Sequence, residues 1–238
     1  MSKILLLGSQ HGDELLGEQL YAYIIKNNPE ISQFITYLVG NLRAYQKKVR
    51  YIESDLNRSY NGGTSTYEER RATRILNYIK KNNFDLVLDL HTTTCLQPPC
   101  FIIANITDDN CRFLRSSSID IIIRMKPAII ASSLIGSYSK AVSIEVSKSL
   151  INSCTLMNIT KDIKRYIENV STRDTTKNIY EISDFLQKGE LSDEDIAKLR
   201  NFEYSPHGFY PILVGEESYK KQSEYLGFKA CKLYKNKV

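Results

Sequence analysis

An α/β fold with a largely parallel central sheet and helices on both faces is what this 238-residue sequence predicts, and three observations predict it. Short aliphatic runs alternate with segments whose apolar residues recur at helical spacing. That alternation is the mark of parallel strands joined by crossover helices. The first run, Lys3-Ile-Leu-Leu-Leu7, has no polar residue at alternate positions, as in a strand buried on both faces. Gly, Asn and Pro then mark the junctions at Gly8 to Gly12, Asn27-Asn28-Pro29 and Gly40.

Taken in order, residues 3–7 read as a strand, and Gly8 to Gly12 as a turn. From Asp13, the apolar positions Leu15, Leu16, Leu20, Tyr23 and Ile24 predict a helix ending near Asn27. Residues 33–40 form a second strand. Asn41 to Gly63 is rich in Arg, Asn, Tyr and Gly without clear periodicity, and so long a loop is usually functional or disordered. Tyr67 to Asn82 reads as a helix, with Thr64-Ser65-Thr66 as cap candidates. Phe84 to Leu90 is a third strand, with His91 and three threonines after it. Residues 99–104 form a fourth. The pattern then predicts a helix over Asp108 to Met125 and strands over Ala128 to Ala131 and Ala141 to Val146. Helices are expected over Thr155 to Asn169 and Asn178 to Lys188. A capped stretch starts at Ser192, and short strands are expected at Phe209 to Val214 and Lys229 to Tyr234. A boundary near residue 150 would separate an α/β domain, residues 1–150, from a shortened, partly helical C-terminal region, residues 151–238, that completes the site.

The composition is ordinary for a globular protein, 42% hydrophobic and 25% charged. The net charge of +5 comes from 32 basic and 27 acidic residues that are scattered rather than grouped, which argues against nucleic acid as a partner. No uncharged stretch approaches the ~20 apolar residues of a membrane span. The five cysteines are odd in number and contain no CxxC pair, so neither a zinc ribbon nor a disulfide framework is indicated. With no basic leader at the N-terminus, a soluble, cytoplasmic protein is expected. The sequence leaves a homo-oligomer open.

The chemistry concentrates at the carboxyl ends of the early strands, where ligands bind in open α/β sheets. His11 and Glu14 sit at i, i+3 on a turn running into a helix, so both can face one side. His91 arrives from a different strand. Two imidazoles and a carboxylate are the donor set of catalytic zinc sites in hydrolases. Asp89, two residues before His91, shares its strand face and is a candidate to orient it. Yet a histidine after a strand is often a hydrogen-bonded core or cap residue, and His-x-x-Glu alone is a weak pattern. These residues by themselves leave the metal and structural readings both open. The loop from Asn41 to Arg58 adds Arg43, Arg50, Asn57 and Arg58, whose planar donors suit a carboxylate; taken alone it would equally be a solvated basic loop.

Four segments settle the comparison in order: His11-Gly-Asp-Glu14; Asn41-Leu-Arg43 through Arg50-Tyr-Ile to Asp55-Leu-Asn57-Arg58; Tyr67-Glu-x-Arg-Arg-Ala72; and Asp89-Leu-His91-Thr-Thr. Together they resemble the aspartoacylase/succinylglutamate desuccinylase family, relatives of the zinc carboxypeptidases. The resemblance implies an α/β/α sandwich with a mostly parallel central sheet. It also implies a zinc-dependent amidohydrolase (deacylase) that cleaves the amide of a small N-acyl amino acid, with one Zn2+ per chain. By that resemblance His11, Glu14 and His91 would be the metal ligands, Arg50 would polarise the scissile carbonyl, and Asn57 and Arg58 would grip the α-carboxylate. Glu145, in Ser143-Ile-Glu-Val-Ser147, matches the family's general base. Tyr219 matches a substrate-contacting tyrosine. A carboxylate among Val142, Ile144 and Val146 would also have its pKa raised by desolvation, which suits proton transfer.

Three departures from the family pattern stand out. Serines 143 and 147 replace glycines that flank the family's base. Where the family carries an arginine for an aspartyl side chain, Ser133 to Lys140 holds only Lys140 as a cation, so a strict preference for N-acetylaspartate is not expected. The region after residue 150 is short, and His207 there is not expected to be a ligand. These departures keep two alternatives in view: a related zinc hydrolase, esterase or carboxypeptidase-like, acting on another acyl substrate, and a degenerate, non-catalytic binding protein.

Overall fold

The computed structural model describes residues 2–170 and 176–237. Among the described residues, nine strands form one sheet in the order β2-β1-β3-β6-β4-β5-β7-β9-β8. They are β1 (Ile4–Gly8), β2 (Ile35–Val39), β3 (Leu86–Thr93), β4 (Cys100–Ile103), β5 (Ile121–Arg124), β6 (Ala141–Ser147), β7 (Thr176–Gln187), β8 (Tyr210–Ile212) and β9 (Tyr225–Lys237). β1 pairs in parallel with β2 and β3, β3 with β6, β4 with β5, and β5 with β7. The pairs β4–β6, β7–β9 and β8–β9 are antiparallel. The fold is therefore the predicted α/β architecture with a mostly parallel sheet.

Each sheet face carries its own core. On one face Ile4, Leu6, Leu88 and Val142 pack against the helices Leu16–Asn27, Asp108–Ser116 and Ser153–Ile167. On the other, Leu5, Leu7, Val87 and Ala141 pack with Ala72, Ile75 and Ile79 of the helix Tyr67–Asn82. That two-sided burial is why β1 and β3 read as unbroken aliphatic runs. The Tyr67–Asn82 helix opens with a capping box in which Thr66 and Glu69 satisfy each other's backbone N–H groups.

Four expectations are corrected. The stretch Asp108 to Met125 is a helix only as far as Ser116. There the buried Asp162 accepts from the Ser117 hydroxyl and from the Ser118 N–H, ending the helix, and the β-branched run Ile121 to Ile123 becomes β5. Ala128 to Ala131 is not a strand but part of the short helix Pro127–Ile130, with Pro at its first position. Asn178 to Lys188 is not a helix but lies in β7. Ile179 faces one core and Tyr180 and Ile182 the other, and register shifts between Lys177 and Ile179 and between Ile182 and Asp184 break the strand alternation. Asn41 to Gly63 is not structureless, since it holds the helix Leu42–Lys47 and a 3-10 turn at Leu56–Arg58.

That segment is tied to the end of β1. Gly12 donates its N–H to the Arg50 carbonyl at 3.1 Å. A Cβ at Gly12 would lie 2.1 Å from the Ala44 carbonyl carbon, so only glycine lets the two backbones meet. From behind, the fully buried Glu68 carboxylate accepts from the backbone N–H groups of Ile52, Glu53 and Ser54 and from Asn41 Nδ2. Arg71 donates to the carbonyls of Val39 and Gly40. Replacing Gly12 with Ala is expected to destabilise the protein by about 3 kcal/mol, at the upper end of overpacking costs, because its neighbours are backbone and cannot rotate away. A denaturant midpoint unchanged in Gly12→Ala would contradict this packing.

Candidate functional site

The strand-to-helix turn after β1 is built to present side chains. Ser9 takes a positive φ of 51°, and its hydroxyl donates to the Glu14 carbonyl at 3.0 Å. The turn aims His11 and Glu14 at the end of β3. His91 lies within β3 rather than after it, because the strand runs on to Thr93.

His11 Nδ1 lies 2.7 Å from Glu14 Oε1, and His91 Nδ1 lies 3.1 Å from Glu14 Oε2. The Thr92 N–H donates to the same Oε2 at 3.0 Å. All three side chains are buried, and one ligand atom from each falls within 4.8 Å of the others. The outward nitrogens face carboxylates. His11 Nε2 is 3.0 Å from Asp55 Oδ1, and His91 Nε2 is 3.0 Å from Asp89 Oδ2, without the alignment of a directed hydrogen bond. Asp89 is held in turn by Gln10 Nε2 at 2.6 Å and by the Ser143 hydroxyl at 2.9 Å. Both Nδ1 atoms are thus left to face inward, as ligating imidazoles oriented from behind by carboxylates do.

The electrostatics point the same way. Burial works against charge on each group, yet the mutual attraction outweighs it. Burial pushes the Glu14 carboxyl up, but His11 and His91 hold it well below its ordinary value. Burial pulls His91 down, but Asp89 and Glu14 raise it well above the usual imidazole range. His11 is likewise raised by Glu14 and Asp55 against burial. The carboxylates demand positive charge at this spot, and protons on the imidazoles supply it where a dication would displace them. Two imidazole nitrogens and a carboxylate oxygen suit a borderline-soft dication, so the residues present fit a zinc-type ion.

Around this cluster opens a cleft holding about 670 Å³ of empty space, lined by His11, Glu14 and His91. Arg50, Asn57, Arg58, Glu145 and Tyr219 line the same cleft, so the eight residues that the family resemblance pointed to converge there. Arg50 Nη1 is 3.5 Å from Glu14 Oε1 and Nη2 3.4 Å from Asp55 Oδ2. Glu145 is the register partner of His91 across β3 and β6. Burial pushes its carboxyl up to about 8; Glu14 and Glu216 add to the rise and the imidazoles oppose it. The flanking serines tie its strand down. Ser143 bonds Asp89, and the Ser147 hydroxyl donates to the Cys95 carbonyl and accepts from the Gln97 N–H. Lys140 is not among the lining residues; it precedes β6, at the end of that strand away from Glu145. His207 is also outside the cleft, 3.8 Å from Asp195.

Three contributors escaped the sequence reading. Asp55 holds His11, and Glu68 holds the loop that carries Arg50 to Arg58. Glu216 accepts from the Thr93 hydroxyl at 2.6 Å and from the Thr94 N–H at 2.7 Å, and also caps the short helix Glu217–Gln222 through the Ser218 N–H. It thereby ties the helix that carries Tyr219 to the threonines that follow His91. The only signal for Glu216 was three consecutive threonines with no core role and an acid pair far along the chain.

An α/β protein with a two-histidine, one-carboxylate cluster at the carboxyl ends of its central strands is the class that fold and site define. The chain belongs to the succinylglutamate desuccinylase/aspartoacylase family: its residues 1–168 match that family's catalytic domain. A probable aspartoacylase of Nostoc sp. is 32% identical over 121 residues, which cover 44% of this chain and 40% of that protein. The matched stretch thus spans two fifths of that curated relative. Murine aminoacylase 3 superposes with a TM-score of 0.71 at 20% identity, over 98% of this chain and 95% of that one. The succinylglutamate desuccinylase of Chromobacterium violaceum gives 0.74 at 17% identity, over 98% and 85%. These structures share the fold.

The raised Glu145 carboxyl has a consequence for stability. Between about 4.5 and 8, the ion-free folded protein holds a proton on Glu145 that the unfolded chain has released, so this group lowers stability as pH rises through that window. Chelator-treated Glu145→Gln is expected to melt above the equally treated parent at about pH 8, with the gap closing toward about pH 5. Equal melting at both pH values would mean that Glu145 is not a desolvated charge.

Proposed function

We propose that this protein is a metal-dependent deacylase that hydrolyses the amide of a small N-acyl amino acid, with His11, Glu14 and His91 holding one Zn2+. The observation that carries the reading is the convergence of a buried dication-type donor set with a desolvated carboxylate, Glu145, and a set of guanidinium and amide donors in one cleft. When bound, the ion supplies Lewis-acid polarisation of the acyl carbonyl and lowers the pKa of water.

The chain's own residues supply the rest. Arg50, beside Glu14, aims its guanidinium where charge grows on the carbonyl oxygen as the acyl carbon becomes tetrahedral. Asn57 and Arg58 come from the same 3-10 turn, and the Asp55 cap fixes that turn by accepting the Asn57 N–H at 2.9 Å. They are placed to hold the substrate carboxylate with planar donors. Glu145 takes a proton from the attacking water at its carboxylate oxygen and returns it to the amine nitrogen as the C–N bond breaks. Burial keeps its proton affinity close to what such a shuttle requires. Tyr219 packs on Tyr225 and Phe228, with ring centroids 5.0 and 5.9 Å away, and closes the cleft from the C-terminal side. The presence of Glu145 beside an intact donor set favours catalysis over a degenerate binding protein.

Glu145→Gln is expected to retain its metal while losing about 10²–10⁴-fold in kcat toward N-acetyl amino acids, the range removed with a general base. Near-parental turnover would take Glu145 out of the proton-shuttling role.

A further inference from the structure

The cations around the cleft are all on one side. Among the described residues that line it, the guanidinium groups are Arg50 and Arg58, both carried by the loop after β2, and no lysine is present. Much of the remaining lining is apolar and comes from separate elements. Ile102 of β4 and Met125 after β5 rise from the sheet. Ile130 and Ile135 cover it from the helical turns before β6, and Leu213 and Phe228 close it from the C-terminal strands. Three of the hydroxyls between them are engaged, while the buried Thr92 Oγ1 has no partner. Ser133 donates to the Ile130 carbonyl and accepts from the Gly136 N–H, Ser143 donates to Asp89, and Thr93 donates to Glu216. The remaining charges beyond the metal cluster are the carboxylates of Glu145 and Glu216.

A substrate with one carboxylate held at Arg58 and Asn57 would find no further cation to pair with a second one among the other lining residues. Burying a carboxylate there without a counter-charge, beside two carboxylates, is strongly unfavourable. A neutral apolar group is instead stabilised by removing its surface from water against Ile102, Met125, Ile130 and Ile135. Resting on the deacylase reading above, we propose that the substrate is an N-acyl amino acid whose side chain is uncharged and apolar, and that the Ile102–Met125–Ile130–Ile135 wall selects it against acidic side chains. The wall acts on the substrate's side chain rather than on its carboxylate, which stays with the loop cations.

The test compares N-acetyl-leucine and N-acetyl-methionine with N-acetyl-aspartate in two ways. Turnover of each by the zinc-loaded parent gives kcat/KM, and calorimetry with zinc-loaded Glu145→Gln gives their dissociation constants. The expected result is a preference of the order of 10²-fold for the apolar pair in both measurements, the scale on which an unpaired buried polar group discriminates. A preference for N-acetyl-aspartate, or equal binding of all three, overturns the inference. Turnover of none of them by the parent, with the apolar preference kept in binding, would count against the deacylase reading and leave the selectivity supported. A second variant, Ile135→Arg, places a cation on the wall and is expected to shift the binding ratio at least tenfold toward N-acetyl-aspartate. An unchanged ratio in a folded variant would show that the side chain does not reach this wall.

Discussion

The buried Glu14 carboxylate is the constraint around which the rest of the molecule is arranged. It is withdrawn from solvent, with His11 and His91 on either side and the Thr92 N–H on one oxygen. Such a group is tolerated only where positive charge and donors are fixed around it. The fixing starts at the sheet. β1 and β3 are neighbouring parallel strands, so their carboxyl ends deliver the two histidine-bearing segments to the same place. Gly12 then lets the backbone at Ala44 close on the turn, and Glu68 binds the loop beyond it through three backbone N–H groups. Asp55 and Asp89 set the imidazoles from outside. Asp55 and Asp89 each reach Glu14 through one histidine.

The second half of the site depends on the first and is built from the next strand of the sheet. β6 lies next to β3, so Glu145 stands beside His91 by register alone. The serines that depart from the family's glycines do not fill the cleft with unpaired polar groups. They hydrogen-bond outward, Ser143 to the aspartate behind His91 and Ser147 to the Cys95–Gln97 segment. What could have been read as erosion of the site is instead a pair of ties holding the Glu145 strand between the His91 strand and the Cys95–Gln97 segment. The C-terminal strands continue the same sheet and return Glu216 and Tyr219 over the opening. A short C-terminal region thus contributes directly to the cleft.

How much of this was legible in the sequence follows from how local each signal is. His11 and Glu14 were readable because three residues and one turn separate them. The Tyr67–Asn82 helix was readable to its ends because its cap and its apolar stripe lie within it. His91, Arg50, Asn57, Arg58, Glu145 and Tyr219 were placed only through the ordered motifs, since nothing in their immediate neighbours fixes where they meet. β7 was misread because residues feeding two opposite cores mimic helical spacing once register shifts intervene. β5 was absorbed into a helix because the stop is a long-range contact with Asp162, 45 positions from Ser117. Glu68 and Glu216 act through partners 14 to 123 residues away and Asp55 through a histidine 44 residues away, so their roles appear only once the chain is folded. The apolar part of the lining is assembled from residues scattered between Ile102 and Phe228, so it exists only once the chain is folded.

The account's central claim is that Glu14 and the two histidines exist to hold a dication. Its most direct test is metal content: protein incubated with Zn2+, desalted, and assayed for metal per chain, beside Glu14→Ala treated identically. The account predicts one ion retained per chain by the parent and almost none by the variant. A parent protein that emerges without zinc, or a variant that keeps it, would contradict the account.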